Sequence, residues 1–255
     1  MLARMNMNAS DDSFTERYSR QIKLPQIGLD GQQRLRDARA LIIGMGGLGS
    51  PAALYLASAG VGHLVVSDFD RVELSNLQRQ VIHRESTIGE PKADSARLTL
   101  NAINSSIKVT AIDWQLTDDE LSQQIELADV VLDCSDNFET RFAVNDACVA
   151  AGTPLVSGAA IRFEGQLLTI EPGKSGSACY RCLFPEEGFA ETCAVEGVLS
   201  PVVGVIGTLQ ALEAVKLISG AGTPLTGQLL LFDGLNGDFS RLKLPQDPAC
   251  VCCAS

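Results

Sequence analysis

The sequence predicts an α/β fold: a mainly parallel sheet with helices on both faces, followed by an antiparallel C-terminal extension. Three observations carry this expectation. From Ala40 onward, short β-branched runs alternate with helical stretches, the pattern of βα units in a parallel sheet. A glycine-rich turn, Gly44-Met-Gly46-Gly47-Leu-Gly49, separates the first such run from the first helical one. Beyond Pro154-Leu-Val-Ser157 the character changes, and residues 163–171 alternate as an antiparallel strand does.

The first strand is Ala40-Leu-Ile-Ile43, and a helix follows from about Leu48 to Ala59. Gly60 and Gly62 make the turn into a second strand, residues 63–68, since glycine tolerates the left-handed conformation that ends helices. Pro91 fits a first helical turn, where its missing N–H costs nothing, and the helix it opens runs to about Ile103. Leu98, Ala102 and Ile103 are expected to share its buried face. Residues 108–112 read as the next strand. The most apolar strand candidate, Val130-Val-Leu132, runs into Asp133-Cys-Ser-Asp136, with Asn137 placed to cap a helix. Asp136 thus falls at a strand's carboxyl end, the edge at which open α/β sheets bind ligands. Residues 173–200 are loop-rich and predict a long crossover. Pro201 opens a final helix to about Ile218, and strands at residues 228–233 and 239–244 precede a cysteine-containing tail.

Composition narrows the function classes. A hydrophobic fraction of 45% in 255 residues supports one large core or two small ones. A net charge of −11 and a pI near 4.6 repel a phosphate backbone, so nucleic acid is not an expected partner, although local Arg and Lys can still hold a small nucleotide. Residues 1–12 lack the pattern of a targeting segment, and the two apolar stretches are broken by Gly60 and Gly62 or by Gln210, Glu213 and Lys216. A cytoplasmic protein with no membrane partner is expected. Eight cysteines in such a chain indicate metal or thiol chemistry rather than a disulfide framework.

The glycine turn has the context of a dinucleotide fingerprint, with Asp68 at the end of the second strand. Gly44, Gly46 and Gly47 permit close backbone approach to phosphate, the helix N-terminus faces it, and Asp68 can accept hydrogen bonds from ribose hydroxyls. Taken alone this favours an NAD-dependent oxidoreductase, with a ligand-free structural turn as the plain alternative. A second signal shifts the balance. Asp68-Phe-Asp70-Arg-Val-Glu-Leu-Ser75-Asn76-Leu-Gln78-Arg79-Gln is followed by Pro91-Lys92, and this grouping of acid, amide and two cations suits a triphosphate with magnesium; its plain alternative is a solvated charged loop.

Two further signals involve cysteine. Cys179-Tyr-Arg-Cys182 and Cys250-Val-Cys-Cys253 supply four thiolates, the tetrahedral demand of a closed structural zinc site, though their separation exceeds that of compact zinc ribbons. Cys252 can substitute for Cys253 in that set, and free buried thiols are the alternative. Cys193 stands alone in the loop-rich crossover, with no adjacent His or cation to lower its pKa. Cys134 and Cys148 fall in strand and helix patterns and read as core residues. His63 and His83 form no cluster and receive no role.

Arg17-Tyr-Ser-Arg20-Gln-Ile, the glycine turn, Leu74-Ser-Asn-Leu-Gln-Arg-Gln80, Asp133-Cys-Ser-Asp-Asn137 and Gly204-Val-Ile-Gly-Thr-Leu-Gln-Ala-Leu-Glu213 follow one another in a known order. Through them the chain resembles the ThiF/MoeB family, bacterial relatives of ubiquitin-activating enzymes, from about Arg17 to its C-terminus. The resemblance implies a Rossmann-like fold, ATP and magnesium, and a ubiquitin-like sulfur-carrier protein as partner. The carrier's terminal Gly-Gly carboxylate would attack the α-phosphate to give an acyl adenylate and pyrophosphate. Displacement at phosphorus needs alignment and neutralisation of oxyanion charge, tasks suited to cations and a metal.

Carried over by position, Asp68 would hold the ribose, Asn76, Arg79 and Lys92 the phosphates, and Asp136 the magnesium, with Asp133 as its nearest competitor. Gly44, Gly46, Gly47, Asp70, Ser75, Gln78 and Asn137 complete the expected nucleotide site. Arg20 resembles the family's arginine finger, which reaches the opposite subunit, so a homodimer is expected. The family carries the same two cysteine pairs, and Cys193 aligns with the loop cysteine that thiamine-pathway members associate with a covalent sulfur link. Arg17 to Ile22, residues 51–56 and residues 231–234 resemble the thiamine branch, and Ser157-Gly-Ala-Ala-Ile161 the molybdopterin branch. With no rhodanese-like domain following, sulfur is expected from a separate donor. The organisation is one adenylation domain over residues 1–255, with N-terminal helices at 1–37, a nucleotide-binding half at 38–158 and a carrier-binding and zinc half at 159–255. An NAD-dependent oxidoreductase or a non-catalytic nucleotide-binding scaffold would lack carrier-dependent pyrophosphate exchange.

Overall fold

A computed structural model describes residues 9–184 and 197–254. Its strands are β1 (Arg39–Ile43), β2 (His63–Ser67), β3 (Lys108–Ile112), β4 (Val130–Asp133), β5 (Leu155–Ile161), β6 (Glu164–Ile170), β7 (Gln228–Asp233) and β8 (Asp238–Lys243). They form one eight-stranded sheet in the order β3-β2-β1-β4-β5-β6-β7-β8. The five strands from β3 to β5 pair in parallel, and the pairs from β5 to β8 are antiparallel, as the change in sequence pattern implies. The helices are α1 (Ala9–Arg17), α2 (Ser19–Ile22), α3 (Gly28–Asp37), α4 (Gly49–Ala59), α5 (Lys92–Ile103), α6 (Asp118–Glu126), α7 (Phe138–Ala151), α8 (Tyr180–Leu183) and α9 (Ser200–Ser219).

Both faces of the parallel part are covered, which is why its strands read as unbroken apolar runs. Because side chains alternate along a strand, Ala40 and Ile42 enter one core with α4, α5 and α9, whereas Leu41 and Ile43 enter a second with α6 and α7. Cys134 lies in the first core and Cys148 in the second, as expected.

Two expectations need correction. Pro91 caps α5 from outside rather than occupying its first turn. The buried face of α5 is carried by Ala93, Ala96 and Leu100, while Leu98 is 59% exposed and Ala102 also faces solvent. Alanines at that spacing let the helix lie close to the sheet, and residue 98 falls on the opposite side. The sequence reading also passed over α6. Its signal is a capping box: Thr117 Oγ1 accepts from Glu120 N at 3.3 Å, and Glu120 Oε2 accepts from Thr117 N at 2.9 Å. Only Leu121 and Ile125 of α6 are buried, too few to give an apolar period. Residues 185–196 of the expected crossover, Cys193 among them, lie outside the described residues.

By length and composition α9 could cross a membrane, yet it is a core helix. Gln210 Nε2 donates to Asp133 O at 2.7 Å and Val156 O at 3.1 Å, so α9 is pinned to the ends of β4 and β5. Glu213 accepts from Thr169 Oγ1 at 3.0 Å and Leu225 N at 2.7 Å. At Gly207 α9 approaches α4 so closely that a Cβ would lie 2.2 Å from Leu48 O. Gly207→Ala is therefore expected to destabilise the fold by about 1–3 kcal/mol, the usual range for overpacking. Urea unfolding measures this, and an unchanged midpoint would contradict the close α4–α9 approach.

Candidate functional site

The central strand β1 sets the geometry. Ile43 is level with Ser67 of β2 and Asp133 of β4, so three neighbouring strands release their loops at one sheet edge. Gly44 N–H donates to Ser67 O at 2.8 Å, and Cys134 N–H donates to Ile43 O at 2.9 Å. Gly44 turns with φ +90°, and a Cβ there would lie 2.8 Å from Cys134 O. Only glycine meets both demands. The next peptides are held as firmly. Met45 N–H donates to Asp68 Oδ2 at 2.7 Å, and Gly46 O accepts from Ser50 Oγ at 2.6 Å and Ser50 N at 3.0 Å. A Cβ at Gly46 would stand 3.6 Å from Gln80 Nε2, an ordinary contact, whereas Gly47 faces α9, where a Cβ would meet Val203 at 3.0 Å.

Asp68 also accepts from Asp70 N at 2.9 Å. Burial holds its carboxyl above the usual range, against the pull of the Lys92 charge and the two backbone donors. Lys92 is buried, and its Nζ lies 2.9 Å from Asp70 Oδ2, so Asp70 holds the ammonium at the rim. Arg79 Nη1 donates to Ser75 O at 3.2 Å. Asn76 is partly engaged in its own turn, its Oδ1 accepting from Glu73 N at 3.2 Å and its Nδ2 donating to Ser75 Oγ at 3.4 Å. Gln78 is exposed.

Across the cleft the two aspartates separate cleanly. Asp133 is buried and satisfied: Oδ1 accepts from Ser135 N at 3.0 Å and Ser135 Oγ at 2.6 Å, and Oδ2 from Ser157 Oγ at 2.8 Å. Asp136 is exposed at the strand end and makes no hydrogen bond among the described residues. Asn137 caps α7, its Oδ1 accepting from Thr140 N at 2.8 Å, as its position in the sequence implies. One turn further on, Arg141 is buried and donates to Ser135 O at 2.5 Å and Gly158 O at 3.1 Å. Sequence reasoning missed Arg141. Its signal is its spacing, one helical turn after the cap residue.

Arg20 is not brought to this edge. Neighbouring Gln21 donates to Ala59 O at 3.0 Å, at the far end of the 11-residue α4, about 16 Å along the helix from the glycine turn. A second cluster lies beside the later turns of α7, near Asn145 and Asp146. The Sγ atoms of Cys179, Cys182, Cys250 and Cys253 all lie within 4.8 Å of one another, at 3.6 Å for Cys179–Cys250 and 3.5 Å for Cys182–Cys253. These separations exceed a disulfide bond and approach the roughly 3.8 Å between thiolates around one tetrahedral ion with bonds near 2.3 Å. Cys252 lies outside this group of four, its Sγ 3.4 Å from Asn145 Nδ2.

Comparison with known proteins shows the family and the fold. The sequence pattern of the ThiF family matches residues 18–252. The chain is 49% identical over 240 residues to the molybdopterin-synthase adenylyltransferase of Escherichia coli (strain K12), covering 93% of this chain and 95% of that protein. It is 51% identical over 238 residues to the sulfur carrier protein ThiS adenylyltransferase of the same organism, covering 93% and 94%. Similarity to the adenylyltransferase and sulfurtransferase MOCS3 of Culex quinquefasciatus, 52% over 242 residues, takes in 93% of this chain and 55% of that longer protein. Among solved structures, E. coli MccB with ATP shares the fold at a TM-score of 0.77 and 23% identity, over 97% of this chain and 82% of that one.

The thiol geometry sets an expected outcome. Cys253→Ser should lose the bound metal ion and Cys252→Ser should retain about one per chain, as read by metal analysis of purified protein. Equal loss in both would contradict the assignment.

Proposed function

The chain belongs to the ThiF family, and from that premise we propose that it activates a ubiquitin-like sulfur-carrier protein of the ThiS type with ATP, for sulfur transfer in thiamine biosynthesis. It is a nucleotidyltransferase, which takes the place of the dehydrogenase reading. The observation that carries the site assignment is the convergence of the glycine turn, Asp68, Lys92 and Asp136 on one sheet edge.

In this reading the Gly44–Gly49 turn approaches the phosphates, Asp68 accepts from the ribose hydroxyls, and Asn76, Arg79 and Lys92 neutralise phosphate oxygens. Asp70, Ser75 and Gln78 line the rim. The carrier's terminal carboxylate is the nucleophile: one of its oxygens bonds to the α-phosphorus as the bond to the β-phosphate oxygen breaks, and pyrophosphate leaves. The protein's residues align the two ends and offset charge, supplying no covalent group to this step. Asp136, exposed and without a hydrogen-bond partner among the described residues, fits a magnesium ligand, whereas satisfied Asp133 does not. Magnesium, when held there, offsets charge on the departing pyrophosphate. The strand β5 outruns β4 by residues 158–161, beside Asp136, which supports this stretch as the approach of an extended Gly-Gly tail.

Arg20, on α2, sits by the far end of α4 from the glycine turn, which supports the arginine finger acting on a second subunit of a homodimer. The four thiolates of Cys179, Cys182, Cys250 and Cys253 fit zinc, and because all four positions are protein ligands the ion is structural. Sulfur then comes from a separate donor in the cytoplasm, and Cys193 is the thiol assigned to the later covalent step. A molybdopterin-pathway carrier is the second reading, favoured by Ser157–Ile161 and by the 49% identical relative.

Labelled pyrophosphate should exchange into ATP only when carrier is present, and more with the thiamine-pathway carrier than with the molybdopterin-pathway one. Exchange with neither carrier in zinc-loaded, ATP-binding protein would overturn the assignment. Asp136→Ala should reduce exchange by at least about 100-fold, on the scale of losing one preorganised electrostatic group, with an unchanged melting temperature. Cys193→Ala should spare exchange and block sulfur transfer; unimpaired transfer would remove Cys193 from the reaction.

A further inference from the structure

His83 received no role from the sequence, yet it is buried against the nucleotide turn. Its Nε2 lies 3.0 Å from Met45 O, and its Nδ1 lies 2.9 Å from Ser95 Oγ, which is itself 3.0 Å from Thr87 Oγ1. A carbonyl can only accept, so Nε2 carries the hydrogen and donates it to Met45 O. Met45 is fully buried.

The geometry points to His83 as a positioning residue that orients the Met45–Gly46 peptide so that the Gly46 amide faces the phosphates of a bound nucleotide. The inference rests on the nucleotide reading of the turn. In a trans peptide the N–H points opposite the C=O, so anchoring Met45 O on His83 directs the Gly46 N–H away from His83. Three successive peptides are then fixed by side chains from three elements: Gly44–Met45 by Asp68, Met45–Gly46 by His83, and Gly46–Gly47 by Ser50. The Gly46 and Gly47 N–H groups donate to nothing among the described residues.

The same bond fastens two pieces that face the phosphates, because the segment carrying Arg79 meets the turn through His83. Gln80 covers Gly46 from this segment, its Nε2 3.6 Å from where a Cβ would stand, but its buried Oε1 has no partner. Among the described residues, His83 is thus the one side chain of residues 72–90 bonded to the turn. Burial above all, together with the Lys92 charge, holds the imidazole below its ordinary pKa, while the Met45 bond opposes this. A neutral ring therefore supplies a directed donor at pH 7.

The test compares dissociation constants for ATP and for adenosine by calorimetry on the full-length, zinc-loaded protein. His83→Leu should weaken ATP about 10-fold, the scale of one buried hydrogen bond left unmade, and adenosine less than about twofold. His83→Gln, which can return a donor near the Nε2 position, should recover most of the ATP affinity. Should the leucine variant not fold, His83→Asn replaces it, since its shorter amide reaches the Nδ1 position but not Met45 O. In pyrophosphate exchange the loss should appear in KM for ATP with kcat nearly unchanged. Unchanged ATP affinity, or equal loss for ATP and adenosine, would overturn the role. Wild-type protein that binds no ATP would remove the nucleotide reading and this inference with it.

Discussion

The candidate site depends on how the chain leaves β1. At Gly44 the backbone turns with φ +90° between Ser67, which accepts its N–H, and Cys134 O, which leaves no room for a Cβ. That single constraint draws the ends of β2 and β4 against the glycine turn. It brings the Asp68 carboxylate under Met45 N–H and places Asp136 at the same edge. A side chain at residue 44 would push the β4 loop away and separate Asp136 from the glycine turn and Asp68.

Around this turn the charge is arranged for an anion in a chain that is itself strongly acidic. Lys92 is buried and leans on Asp70, while buried Asp133 is occupied by Ser135 and Ser157. In the proposed reading Asp136 is the carboxylate that meets magnesium. Helix α7 links this edge to the cysteine cluster. Its first turns hold Asn137 and Arg141 against the strand ends, and further along Asn145 accepts from Tyr180 N at 2.8 Å and Asp146 pairs with Arg181 at 2.7 Å. Structural zinc would thus steady the helix that carries the Asp136 loop.

Most of this fold is legible in the sequence, because burial on both faces makes β1, β2 and β4 continuous apolar runs and glycines mark the turns. The cysteine pairs and the glycine turn are also readable, being dense and local. What escaped has a common cause. The structure assigns α5 its buried face through alanines, whose burial depends on close packing rather than hydrophobicity, and α6 is announced by a capping box with only two buried residues. His83 and Gln210 act through backbone carbonyls distant in sequence, and Arg141 through one nearby and one on β5, partnerships that periodicity does not encode. Arg20 could be recognised by likeness, yet its distance from the other site residues emerges only when α4 is laid out in space.

The most direct test of the central claim is intact-mass spectrometry of the carrier after incubation with the protein, ATP and magnesium. The account expects the carrier to gain the mass of one AMP, and to gain nothing when its terminal glycine is deleted. A carrier whose mass stays unchanged, although the protein binds ATP and the carrier's Gly-Gly end is intact, would contradict it.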